Sequence, residues 1–317
     1  MNAILDGAEA VLEVATSVAI DEVKLRAFAE HYRPVHGKHW LRDVPFDLAS
    51  LSVENIANFL LLFYSLIFCF WGEPKWTIDY RGQKYDGSYG LLIALRRAYE
   101  QGKPIFDWNY WQHISGDEFA AILAGNVEIP LFAERLAIVH EIGIVTRERY
   151  QGQAANLIKA CGKDARKLLA LLSDHYPSFR DISTYNGLAV PFYKRAQLFV
   201  IDIFHFFEGQ GLGELQHTDS ITALADYKVP QILRHFGIIK YAPDLAQKVD
   251  TKIELAYNSP PEVEIRAANV WAIELLRRSI AARIPDVTTT AINDALWLQS
   301  QSTNNMRPYH RCKNIYY

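Results

Sequence analysis

A chain of 317 residues with 36 acidic against 33 basic side chains carries a formal charge of −3 and a pI near 6.4. It lacks the surplus of Lys and Arg that a face for tracking nucleic acid needs. Half of the residues are apolar, with 16 Phe, 17 Tyr and 7 Trp spread along the chain, which supplies a sizeable core for one large or two ordinary domains and excludes disorder. The three cysteines, Cys69, Cys161 and Cys312, lie far apart without CxxC spacing, so neither a disulfide framework nor a zinc site is expected, and a reducing cytosol is the natural compartment.

The opening Met-Asn-Ala-Ile-Leu-Asp-Gly has neither the basic nor the apolar region of a secretory signal. Helical periodicity then covers Asp21 to Tyr32 and Val53 to Phe68, with Ser52 as candidate cap for the second. The longest apolar run, Phe59 to Trp71, has about 13 residues where a membrane span needs about 20, so it reads as a buried helix. Trp76 to Tyr80 reads as a short strand turning at 81–84, followed by a helix capped by Asp86 or Ser88 that ends before Gly102.

Ser115-Gly116-Asp117-Glu118 has the capping-box pattern, and Pro130 is placed to open another helix. Further helices are predicted at Ala165 to His175, Pro191 to Phe207, Pro230 to Phe236, Asp244 to Ala256, Pro261 to Ala282 and Thr289 to Gln299, with Ser259-Pro260-Pro261-Glu262 repeating the capping-box logic. No repeat, low-complexity tract or linker divides the chain. The expectation is a mainly α protein, two helical lobes with a cleft between them and at most one small hairpin, as a single unit over 1–317.

The segment from Pro191 to Phe207 is apolar nearly all round, so its charged exceptions are informative. Arg195 and Asp202, seven residues apart, fall within about 20° of each other on a helix. They read as an internal ion pair or as the wall of a polar pocket. Lys194 adjoins them, and a buried lysine calls for a carboxylate or a ligand phosphate. Asp226 follows an apolar stretch and precedes a helix; it reads as a cap, or as a carboxylate at the mouth of a cleft beside Tyr227.

His31, His36 and His39 do not have the spacing of a helical metal pair, so no metal site is predicted. The loop holding Trp71 and Trp76 reads as core packing or as a platform for a planar base. The aromatic and basic ending Arg307 to Tyr317 suits a segment folded back on the body, where Arg311 would reach an anion.

Several stretches taken together resemble the queuosine salvage protein family. They are Trp76 to Arg97, Ile129 to Arg135, Phe179-Arg180-Asp181, Tyr193-Lys194-Arg195-Ala196-Gln197, Ala225 to Gln231, Glu262 to Ala267 and the Pro308-Tyr309-His310-Arg311 ending. The set runs in the family's order along nearly the whole chain. The resemblance implies cleavage of the N-glycosidic bond of queuosine 5′-monophosphate to release queuine, without a cofactor, on a fold similar to the helix-hairpin-helix DNA glycosylases.

Lys194 and Asp226 stand where the family has its site lysine and aspartate. Lys228 stands where relatives more often have arginine, and Cys312-Lys313 departs from the family's tail. In that chemistry Asp226 would stabilise positive charge building at C1′ and O4′, and would orient or deprotonate a water. A 7-deazapurine has no N7 to protonate, so a carboxylate such as Asp86 or Asp79 would hold its guanine-like edge.

Trp71 or Trp76 would stack on the base, and Lys194, His310 or Arg311 would hold the phosphate. Arg195, Asp202 and Tyr227 complete the candidate substrate-binding set. The partners implied are the small-molecule nucleotide and its base, with no nucleic-acid duplex and no membrane. The alternatives are a non-catalytic module that binds a modified nucleotide, and a glycosylase acting on another nucleotide or on DNA; the charge balance disfavours DNA.

Overall fold

The computed structural model describes residues 2–34, 40–42, 44 and 46–317. His36 and His39 of the histidine-rich stretch lie outside these residues. In chain order the helices are α1 (Ala3–Glu13), α2 (Glu22–His31), α3 (Val53–Leu66), α4 (Gly87–Glu100), α5 (Trp108–His113), α6 (Gly116–Ile122) and α7 (Phe132–Tyr150). They continue as α8 (Ala154–Ala160), α9 (Ala165–His175), α10 (Lys194–Phe206), α11 (Lys228–His235), α12 (Pro243–Asp250), α13 (Pro260–Ala281) and α14 (Thr289–Ser302). The strands are β1 (Val18–Ile20), β2 (Thr77–Tyr80), β3 (Gln83–Asp86), β4 (Ile182–Tyr185), β5 (Leu188–Pro191) and β6 (Ile239–Tyr241). No helix among the described residues is long and apolar enough to cross a membrane.

Half of the described helices start at an N-cap side chain that accepts a first-turn N–H. Asp21, Ser52, Ser115 and Asp164 each accept a bond from a first-turn N–H of α2, α3, α6 and α9. Several starts differ from expectation. The helix expected from Pro191 begins at Lys194, because Pro191 ends β5, and the one expected from Pro230 begins at Lys228. Pro130 lies outside α7, which begins after Leu131 in the left-handed region at φ 56°. At α13 the Ser259 side chain makes no cap bond, while the buried Glu262 accepts from the Tyr317 hydroxyl at 2.7 Å and from Asn258 N–H at 3.1 Å.

The expectation of at most one hairpin is corrected: the described residues hold three antiparallel pairs, β1 with β6, β2 with β3, and β4 with β5. The β4–β5 turn is Asn186-Gly187 with φ of 48° and 80°, the two-residue turn whose twist suits a hairpin. β1 and β6 pair Ala19 with Lys240, a separation that no local pattern reveals. Glu264 of α13 fastens β1 from behind, accepting Ser17 N–H at 2.6 Å and Val18 N–H at 3.0 Å.

Apolar burial gathers into three clusters. The largest joins α3, α4 and α7 to α10; the second joins α2, α11, α13 and α14; the third wedges α1 and β5 against α13. The run Phe59 to Trp71, which covers the end of α3 and the segment after it, is buried throughout, as its unbroken apolar character requires.

That segment would leave the last carbonyls of α3 unpaired in the core. Two buried arginines answer them. Arg135 donates to Leu66, Phe68 and Cys69 carbonyls, and Arg195 to those of Ser65 and Ser178. Arg195 therefore does not pair with Asp202 as expected; two turns of helix separate them, and Asp202 instead accepts from the Tyr64 hydroxyl. The chain from Leu66 to Phe70, held this way, forms one wall of the cavity described next.

Candidate active site

A cavity of about 740 Å³ lies where the largest cluster meets α11 and α14. Its volume is that of a pocket for one small molecule. Helix α10 runs along it, contributing Lys194, Leu198 and His205 from one face, with Glu208 just beyond its end. The opposite side is built from Leu224, Asp226, Tyr227 and Lys228 together with Asn293, Asp294 and Trp297.

Asp226 is positioned by a segment without regular structure, 221–227, whose backbone groups find side-chain partners on three helices. Gln197 accepts from Thr222 N–H at 2.7 Å, Asn293 accepts from Leu224 N–H at 3.1 Å, and Asn269 donates to the Leu224 carbonyl at 2.9 Å. Asp226 Oδ1 then accepts from Lys228 N–H at 3.0 Å and Val229 N–H at 2.9 Å, at the start of α11. Both readings of this residue thus meet in one side chain: one oxygen caps a helix, and Oδ2 has no hydrogen-bond partner among the described residues.

Lys194 opens α10. Its N–H is held by Asp181 Oδ2 at 3.1 Å, and Asp181 is gripped in turn by both terminal nitrogens of Arg266 at 3.0 and 2.6 Å. Arg266 lies over the Phe192 and Tyr317 rings at 4.0 and 4.6 Å. This buried assembly fixes the start of α10 while leaving the Lys194 ammonium, only 7% exposed, without a hydrogen bond or ion pair among the described residues. Such isolation is costly for a charge. Burial draws the ammonium down to about 8, against the pull of Asp226. Burial also raises the Asp226 carboxyl, opposed by the Lys194 charge and the two N–H bonds. Each group is the other's strongest electrostatic counterweight, and both line the cavity.

The remaining expected residues separate into those at the cavity and those away from it. Asp86 and Tyr227 line it. Asp86 gives α4 no cap bond and turns instead to Lys75; Tyr227 packs its ring against Tyr309, centroids 4.8 Å apart. Trp71, Trp76, Asp79, Arg195, Asp202, His310 and Arg311 do not line it. Trp76 is enclosed in the core, donating from Nε1 to the Leu123 carbonyl at 3.1 Å.

Asp79 is exposed on β2. His310 is fully buried, pushed down to about 3 by burial and by Arg266. Arg311 pairs with Glu73 and lies over the Trp71 ring at 5.6 Å, so the chain's ending is tied to the body. The rings that do border the cavity include Trp40, Tyr89 and Trp297, with centroids 5.7 to 6.4 Å apart. Sequence reasoning missed them, although Asp294, Trp297, Leu298 and Gln301 form one face of α14 at helical spacing.

A helical scaffold that holds an isolated ammonium and a half-capped carboxylate at one end of a ring-lined cavity of this size belongs to a class of small-ligand proteins with hydrolytic potential. The family follows from sequence: the chain belongs to the queuosine salvage protein family, whose model matches residues 48–317. A relative in Sphaerobacter thermophilus, named queuosine 5′-phosphate N-glycosylase/hydrolase, is 41% identical over 317 residues, which is 99% of this chain and 97% of its own. Proteins of the same name in Bos taurus and Mus musculus are 34% and 31% identical, covering 83% and 98% of this chain and 82% and 98% of theirs.

Proposed function

We propose that this protein hydrolyses the N-glycosidic bond of queuosine 5′-phosphate and releases queuine, with Asp226 as the catalytic carboxylate. The observation that carries the assignment is Asp226 itself. Oδ1 is immobilised by two backbone N–H groups while Oδ2 is left to act, beside an unpaired ammonium in a cavity that holds one nucleotide. Family membership supplies the substrate class, through the names its relatives carry.

Bond cleavage builds positive charge on C1′ and O4′, and a carboxylate beneath the sugar stabilises it without having to reorient. The base leaves with the electron pair of the glycosidic bond, and water attacks C1′. The water's proton passes to Asp226, whose Oδ2 has no hydrogen-bond partner among the described residues, and then to the departing base. Burial raises the Asp226 carboxyl, and the Lys194 charge opposes that shift by favouring the ionised form. Lys228 and Lys75, which border the cavity on the Asp226 side, supply the charge that the 5′-phosphate needs. Trp40, Tyr89 and Trp297 offer flat surface for the base.

In this reading the chain is a single unit over 1–317, two-lobed around the cavity in the manner of helix-hairpin-helix glycosylases. The net charge of −3 favours a free mononucleotide over a duplex. Incubating the purified protein with queuosine 5′-phosphate and resolving products by chromatography tests the assignment. Free queuine and ribose 5-phosphate in equal amounts support it, whereas saturable binding with no product would make the protein a nucleotide-binding module instead.

A further inference from the structure

Lys194 stands at the first position of α10, where the helix dipole is positive and a cation is disfavoured. Tyr193 before it is left-handed at φ 48° and supplies no side-chain cap. Asp181, 13 residues earlier and just before β4, does the capping instead. Its carbonyl accepts Phe192 N–H at 2.9 Å and Tyr193 N–H at 3.2 Å, and its Oδ2 accepts Lys194 N–H at 3.1 Å. One residue thus gathers three successive N–H groups and brings a carboxylate to the positive end of the helix.

Arg266 on α13 closes the cluster from behind. It holds both Asp181 oxygens and lies over the Phe192 and Tyr317 rings, while Glu262, one turn earlier on α13, stands 3.8 Å from its Nε. All three charged side chains are buried, so each acts on its neighbours with little screening. Charges reach the Lys194 ammonium from each element packed around it. Asp226, on the segment before α11, and Asp181 favour its protonated form, whereas Arg195 on α10 and Arg266 on α13 oppose it. Arg195 is engaged with the Ser65 and Ser178 carbonyls, and Asp226 faces the cavity. Asp181 and Arg266 do not line the cavity; they reach it through Lys194.

We propose that Asp181 and Arg266 are positioning residues of the reaction: Asp181 places Lys194 at the cavity and sustains its charge, and Arg266 limits that charge from the opposite side. This rests on the reading that Lys194 serves turnover as an ammonium beside Asp226. A cluster that only stiffens the start of α10 would have no reason to move the titration of Lys194 one way for an acid and the other way for a base.

Protein labelled with [ε-13C]lysine reports lysine titration by NMR without turnover, and Lys194→Met identifies the Lys194 signal by its loss. In the unaltered protein that signal titrates near 8, where burial draws it. Asp181→Asn keeps an acceptor oxygen and removes the negative charge, so the titration should move down by about one pH unit, and Arg266→Met should move it up by about as much. With both substitutions the shifts should offset. The alkaline limb of kcat/KM for queuosine 5′-phosphate should follow the same order. A Lys194 titration that stays level or moves up in Asp181→Asn would overturn the proposal, whether or not Arg266→Met folds. If the titration shifts while the kcat/KM limb stays level, the positioning role fails. If it shifts as stated and the unaltered protein cleaves no nucleotide, the proposed function fails while the hold of Asp181 and Arg266 on Lys194 stands.

Discussion

Replacing Lys194 with Met keeps a long unbranched side chain and removes the buried charge. In the fold, burial draws this ammonium from its ordinary 10.5 down to about 8. One pKa unit corresponds to about 1.4 kcal/mol, so holding Lys194 charged costs about 3 kcal/mol. The sign follows from proton counting. Between about pH 8 and 10.5 the unfolded chain binds the proton that the folded chain has released, so stability rises with pH across that window. The penalty is fully present below pH 8 and gone above 10.5.

Lys194→Met should therefore be the more stable protein at pH 7. Because Asp226 loses its counter-charge in the variant, the net gain there is about 1–3 kcal/mol. Urea unfolding of both proteins, followed by tryptophan fluorescence from pH 6 to 10.5, gives the difference directly, since groups common to both cancel. That difference should shrink by about 3 kcal/mol between pH 8 and 10.5. A difference that stays level across the window would refute the reasoning, and with it the view of Lys194 as a charge kept at the expense of stability.

The same two groups set the pH dependence of turnover. Activity should rise as Asp226 ionises, above the usual carboxylate range because burial raises it, and fall as Lys194 loses its proton near 8. In a kcat/KM profile Lys194→Arg should move the alkaline limb upward, and an alkaline limb unmoved by that change would exclude Lys194 as its source. Arg135→Met should cost about 3 kcal/mol or more in denaturant unfolding, because the carbonyls of Leu66, Phe68 and Cys69 would lose their donor inside the core. Gly125→Ala would bring a Cβ within 2.5 Å of the Thr77 carbonyl and 2.7 Å of Trp76 Nε1. It should lower stability by about 1–3 kcal/mol in the same assay.

Much of the helical plan was legible because caps and periodicity are local. Ser52 and Ser115 mark starts that the structure keeps, and α10 announces itself as an apolar helix with charged exceptions. What the charges do was not legible. Arg195 and Asp202 share a helix face, yet each takes its partner from α3 or beyond, one from backbone carbonyls and the other from a tyrosine. Those carbonyls exist to be capped only because the chain after α3 runs buried and irregular, which is a property of the packed state.

The strand pair β1–β6 joins opposite ends of the sequence, so no local signal exists for it. The β4–β5 hairpin, by contrast, carries Asn186-Gly187 and was there to be read. At the cavity, Lys194 and Asp226 came from the ordered set of family-like segments; their isolation and half-capped geometry came only from the fold. Tryptophan count alone could not say which rings border the cavity. Trp76 fills a glycine-walled slot in the core, while Trp40 and Trp297, far apart in sequence, meet at the cavity with ring centroids 5.8 Å apart.

The central claim is that Asp226 acts on the glycosidic bond of a bound nucleotide. Single-turnover release of queuine from queuosine 5′-phosphate by the unaltered protein and by Asp226→Asn, with folding checked by circular dichroism, tests it most directly. A folded variant that binds the nucleotide and releases base at least a thousandfold more slowly is the predicted result. A folded Asp226→Asn that releases queuine at the unaltered rate would contradict the account.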